Sequence, residues 1–273
     1  MTLQWFTELP AAITAARREH KPILSLRLLG RLDEARSCAN SRFFRAMLYP
    51  DPEIGALLRE GFILHWRSVR PVPIVTIDFG DGRRIERTLT GNSVHLVLDP
   101  QGRPIDAVPG MYPAAAFLQA LQGALELSQL QGLARAHRRA LERLDEAWER
   151  ALEAVGRSAL DPVTDETWRV LAQSSLSRRF PSAREAGVLA LTKARVEMPL
   201  LDRISPLERT IAEDGLRNEY LLHRQIHELF AEGAAPETES EFTDWIYREL
   251  FLMPLEDPWL GLEPESPFSA LVT

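Results

Sequence analysis

Apolar residues follow two rhythms along this chain, and the change falls near residue 126. In the first half, short apolar runs bounded by turn residues alternate with segments of helical period. Leu9, Ala12, Ile13 and Ala16 predict a helix, closed by Arg17, Arg18, Glu19 and His20 before Pro22. Ile23 to Leu29 predicts a buried strand. After a polar connection, Phe43, Phe44, Met47 and Leu48 give the apolar face of a second helix that should stop near Tyr49-Pro50-Asp51-Pro52. A short helical piece over 53–60 precedes a second strand, Gly61 to Trp66. Ile74 to Phe79 and Ile85 to Leu89 flank Gly80-Asp81-Gly82, a hairpin signal set apart from the core strands. Val94 to Asp99 and Ile105 to Val108 are two further strands about the turn Pro100-Gln101-Gly102, and 113–125 closes this half as a helix.

Beyond residue 126 no convincing strand pattern appears before Phe251. Leu130, Leu133, His137, Leu141, Leu144, Trp148, Ala151 and Val155 step by three or four, which predicts one long amphipathic helix. Ser205-Pro206-Leu207-Glu208 and Thr238-Glu239-Ser240-Glu241 are capping boxes that fix two helix starts. The proline-rich residues from Asp257 lack periodicity and predict a surface tail, with Trp259 as its anchor. The expected organisation is an α/β domain over 1–125, an all-helical domain over 126–256 and an extended tail over 257–273.

Composition narrows the partners. Hydrophobic residues at 45% and charged residues at 26% suit a globular chain with a sizeable core. A net charge of −7 gives no basic footprint for nucleic acid, and no apolar run approaches the roughly 20 residues that a membrane helix needs. Neither partner is expected. The N-terminus lacks the basic and apolar regions of a secretory signal, so the cytoplasm is the expected compartment. Cys38 is the single cysteine and can form no intramolecular disulfide. No phosphate loop, nucleophile elbow or dinucleotide fingerprint is present, and no cofactor is expected.

The candidate chemistry centres on Cys38, placed where a buried strand hands over to a helix. A helix N-terminus favours an anion and can lower a thiol pKa. Arg36 and Arg42 flank it and would add positive field, although a buried, inert cysteine fits the same pattern. Elsewhere, Glu219, His223 and His227 fall at four-residue intervals on one helical face. Two histidines at that spacing are a common metal-ligand pair, yet no second ligand cluster is evident in the sequence, and surface or interhelical hydrogen bonding is the favoured role. His95 lies in an expected central strand and predicts a buried, hydrogen-bonded histidine. His65-Trp66 and the arginines after them end another strand, where Trp66 could line a cleft.

The order of elements over residues 1–125 resembles the thioredoxin-like fold. Trp5 with an alanine-rich helix and Lys21-Pro22-Ile23-Leu24 looks like the start of bacterial thioredoxin-like proteins. Cys38-Ala39-Asn40-Ser41 occupies the place of the redox CxxC, and Val97-Leu98-Asp99-Pro100-Gln101-Gly102 with Pro109-Gly110 looks like the family's terminal hairpin. The resemblance implies a central mixed sheet flanked by helices, with the Gly80 hairpin as an insertion. Ser41 replaces the second cysteine, so the CxxS pattern cannot close an internal disulfide. Ser93, in Gly91-Asn92-Ser93, stands where the family usually has a cis-proline. Two functions follow from the resemblance. One is a noncatalytic module for protein interaction. The other is a monothiol oxidoreductase or redox sensor, in which Cys38 forms a mixed disulfide with glutathione or a client thiol, Ser41 bonds the thiolate, and Asn92, Ser93 and Trp66 form the binding surface.

Overall fold

The computed structural model describes residues 3–34, 37–88, 92–158, 160–175 and 207–260. Its central layer is a five-stranded sheet of β1 (Trp5–Phe6), β2 (Ile23–Leu29), β3 (Ile63–Arg70), β6 (Ser93–Leu98) and β7 (Pro104–Pro109), in the order β1-β3-β2-β6-β7. β1 and β2 run parallel to β3, whereas β6 is antiparallel to β2 and β7 antiparallel to β6. Every residue of β2, β6 and β7 is buried. This is why their sequences read as nearly continuous apolar runs: with both faces covered, alternation disappears. The two-residue β1 pairs Trp5 with Leu64 and Phe6 with His65. The sequence pattern predicts no strand ahead of the first helix, because two residues are too few to show a period.

Helices α1 (Leu9–Glu19), α3 (Pro52–Gly61) and α4 (Ala114–Gln129) pack on this sheet. The cysteine helix α2 (Ala39–Phe43) widens into a π turn over Phe44–Leu48 and ends at Tyr49, where Pro50 can supply no amide hydrogen. Asp51 then caps α3 by accepting from the Glu53 and Ile54 N–H groups. The hairpin β4 (Ile74–Asp78) and β5 (Arg84–Thr88) forms a separate two-stranded sheet, with Ile74, Ile77 and Phe79 exposed.

The second half contributes α5 (Leu133–Ala154), α6 (Asp165–Ser175), α7 (Leu207–Arg217), a π turn over Asn218–His223, α8 (Arg224–Ala231), α9 (Glu239–Trp245) and a π turn over Ile246–Leu250. Thr238 and Glu241 form the expected capping box of α9, while the Ser205-Pro206 start lies outside the described residues. α4 continues four residues past the expected boundary at 125. Ile226, Phe230, Phe242, Ile246 and Tyr247 belong to the same buried core as the sheet, so the two halves share one interior. Their approach is close: a Cβ on Gly215 would collide with the Pro113 ring. Gly110, at a φ of +76°, leaves room for Asn218, whose Nδ2 donates to the Met111 carbonyl at 2.8 Å.

Arg70 holds the start of the tail by donating to the carbonyls of Leu255 (3.2 Å), Asp257 (2.7 Å) and Pro258 (3.3 Å). Trp259, the expected anchor, is 61% exposed, and Leu260 is the buried residue instead. Among the described residues no helix is long and apolar enough to cross a membrane.

Candidate functional site

Two polar clusters sit where the helical half meets the sheet. The first surrounds Cys38, which lies at the start of α2 and has no exposed surface. Its backbone N–H donates to the Leu29 carbonyl at the end of β2, so strand and helix are joined at this residue. The sulfur lies 2.9 Å from Ser93 Oγ at the start of β6. The residue at the expected cis-proline position therefore faces the cysteine, as a hydrogen-bonding serine in a trans chain. Ser41 does not support the sulfur. Its hydroxyl instead lies 2.8 Å from Ser37 Oγ and 3.0 Å from the Cys38 carbonyl oxygen, a bond back along the helix of the kind serine commonly makes.

Of the two flanking arginines, Arg36 lies outside the described residues. Arg42 donates to Thr88 Oγ1 at 3.2 Å, and Arg45, which the sequence reading did not single out, donates to Ser37 Oγ at 2.9 Å. Burial lowers the pKa of both guanidinium groups, and the charge of the Cys38 thiolate would pull each back up. Asn92 accepts from Asn40 Nδ2 at 3.4 Å through its side chain. Trp66 is buried beneath the Arg31 guanidinium, 5.4 Å from the ring centre, and so lines no open cleft.

The helical half covers this cluster. The Tyr247 hydroxyl donates to the Asn92 carbonyl at 2.9 Å. On the same seam Arg27, 1% exposed in β2, pairs with Glu239 at the start of α9 and donates to Thr243 Oγ1 at 3.4 Å. Deeper in, His95 Nε2 lies 2.8 Å from the Tyr49 hydroxyl, the buried bonded histidine expected there. Burial holds its pKa down to about 3.

The second cluster lies at β7, the edge strand of the sheet. Asp106 is 1% exposed, and its Oδ1 lies 3.1 Å from His223 Nε2 and 3.9 Å from His227 Nδ1. The ligand that the linear sequence did not show is thus Asp106, on a strand more than a hundred residues upstream, whereas Glu219, the third residue of the helical set, does not fall in this group. One donor atom from each of the three residues falls within 4.8 Å of the others. His137 of α5 completes the set: Nε2 lies 2.9 Å from the Ile105 carbonyl and Nδ1 lies 2.8 Å from His227 Nδ1. A carbonyl can only accept, so His137 carries its proton on Nε2. Burial, set against the nearby Asp106 charge, leaves it a lowered pKa, so as a neutral ring its Nδ1 accepts from His227 Nδ1–H.

Burial by itself would raise the Asp106 pKa, yet the charge and hydrogen bond of His223 hold it well below the usual carboxylate range. Reciprocally, Asp106 raises His223 against its own desolvation. Burial and the neighbouring His223 charge hold His227 far below an ordinary histidine. Among the described residues, Asp106 Oδ2 and the Tyr112 hydroxyl are buried without a hydrogen-bond partner. Both residues line a cavity of about 480 Å³, as do His223, His227 and Glu219. Burial raises the Glu219 carboxyl above its ordinary pKa.

Asp106 and His137 carried a weak signal in the sequence, since each is a polar residue within an apolar pattern. Tyr247 carried none. No model of a known protein family matches this chain, and no curated protein matches it in sequence.

Proposed function

We propose that this chain is a thioredoxin-like protein with a closed thiol site, acting as a noncatalytic module for protein interaction. The strand order β1-β3-β2-β6-β7 and the cysteine at the junction of β2 and α2 support the fold reading. One observation carries the functional reading: Cys38 is wholly buried, and Tyr247 occupies the backbone carbonyl beside Ser93. In the family this resembles, a peptide or glutathione would be recognised by that stretch of backbone, and here the chain's own helical half fills it. The hairpin, with Ile74, Ile77 and Phe79 outward, is the surface this reading gives to a protein partner. A lone free thiol suits a reducing compartment such as the cytoplasm.

Iodoacetamide labelling across a urea titration tests the reading. Modification of Cys38 should follow global unfolding, and rapid labelling of the folded protein would sink it. A second reading has its own support in Arg42 and Arg45, two half-buried arginines whose charges act on the sulfur. In it, Cys38 is a monothiol that forms a mixed disulfide with glutathione or a client. That reading requires a glutathione adduct on the folded protein after exposure to oxidised glutathione, lost in Cys38→Ser.

A further inference from the structure

We propose that Asp106, His223 and His227 form a binding site for a divalent transition-metal ion, open on one side to the cavity lined by Glu219 and Tyr112. The proposal does not depend on the state of the thiol, which belongs to the other cluster.

The donor chemistry comes first. Two imidazoles and one carboxylate are borderline donors that suit zinc, cobalt or iron(II), whereas calcium and magnesium prefer oxygen alone. Spacing comes second. Donors about 2.0–2.1 Å from a tetrahedral ion lie about 3.3 Å from one another. Asp106 Oδ1 and His223 Nε2, at 3.1 Å, already stand near that value, and one donor atom from each of the three residues lies within 4.8 Å of the others, so side-chain rotations would close the set. An ion would take the place of the proton between Asp106 and His223, and its binding would release that proton.

Third, the surroundings contain what such a site needs and what a simple buried ion pair does not. Asp106 Oδ2 has no partner among the described residues although it is fully buried. A buried carboxylate oxygen left unsatisfied is costly, and bidentate coordination through both Asp106 oxygens would satisfy it. His137 accepts from His227 Nδ1, the outer contact that commonly orients a metal-bound imidazole and leaves Nε2 for the ion. His137 is itself fixed by the Ile105 carbonyl of the strand that carries Asp106, so ligand and support share one rigid element. Three protein ligands leave a position free. The cavity beside the three ligands, which Glu219 also lines, gives room for a bound water at that position.

The full-length chain, stripped with EDTA and dialysed, should bind one equivalent of Co²⁺ with visible d–d absorption, and Zn²⁺ should displace it. The X-ray absorption of the zinc-loaded wild type should fit two imidazoles and oxygen donors. Cys38→Ser should bind as the wild type does. His137→Phe should weaken binding about 10- to 100-fold while its circular dichroism stays native. His223→Gln should lose the cobalt spectrum. Absence of stoichiometric binding by the wild type would overturn the proposal, as would a sulfur scatterer at the zinc edge or undiminished binding in a folded His223→Gln. The wild-type absorption measurement decides the matter even where a variant fails to fold.

Discussion

The helical half meets the sheet along two seams that differ in what their polar groups do. At the cysteine seam, Ser93 faces the sulfur, Tyr247 takes the Asn92 carbonyl, and Glu239 pairs with Arg27. The functional atoms are occupied by one another, and the thiol is sealed. At the histidine seam, Asp106 is equally buried but keeps one oxygen without a partner beside a cavity. Burial alone therefore does not mark a site. Arg42 Nε and Arg45 Nε at the cysteine seam also lack a partner; what sets the histidine seam apart is that its unpartnered oxygen belongs to a buried carboxylate lining a cavity.

The largest expected effect breaks the histidine seam. Asp106→Ala in EDTA-treated protein strands His223 and should lower the unfolding free energy by about 3–5 kcal/mol in urea titration. A loss below about 1 kcal/mol would show that this seam does not hold the halves together.

Acid sharpens the contrast from the other side. His95 is held neutral down to about 3 by burial, and His65 down to about 4 by burial and the Arg27 charge. Below the ordinary histidine pKa of about 6.5, the unfolded chain takes up protons that these two residues refuse in the fold. Stability is therefore full above that pH and falls as pH drops towards 4, by about 1.4 kcal/mol per pH unit for each histidine. The difference between wild type and His95→Phe, from urea midpoints between pH 7 and 4.5, should recover one such slope.

The smallest change opens the cysteine seam. Tyr247→Phe removes one buried hydrogen bond and should cost about 1–2 kcal/mol. It should also speed iodoacetamide labelling of Cys38 under native conditions, whereas a variant at the histidine seam such as His137→Phe should not. Equal acceleration by both would mean that the seams open as one unit.

Much of the fold was legible because long-range order leaves local traces. The buried strands appear as apolar runs, the hairpin as Gly80-Asp81-Gly82, and the start of α9 as Thr238 to Glu241. β1 was not legible, since two residues acquire strand geometry only by pairing with β3. Trp259 illustrates the opposite error: an aromatic residue in a tail suggested an anchor, but carbonyls held by Arg70 do that work. At the candidate sites, Cys38 and the pair His223 and His227 were visible through residue type and spacing. Ser41 was misjudged because its nearest acceptors lie in its own helix turn.

The sequence by itself determined the positions of the longer strands and of the helices it predicted, the lone thiol at a strand-to-helix junction, and two histidines on one helical face. Each is a property of period or neighbourhood within about one turn of chain. Only the tertiary structure decided that Tyr247 closes the cysteine and that Asp106 faces those histidines. These contacts join residues 155 and 117 positions apart. Such pairings are set by how the helices dock on the sheet edge, and no local pattern encodes that geometry.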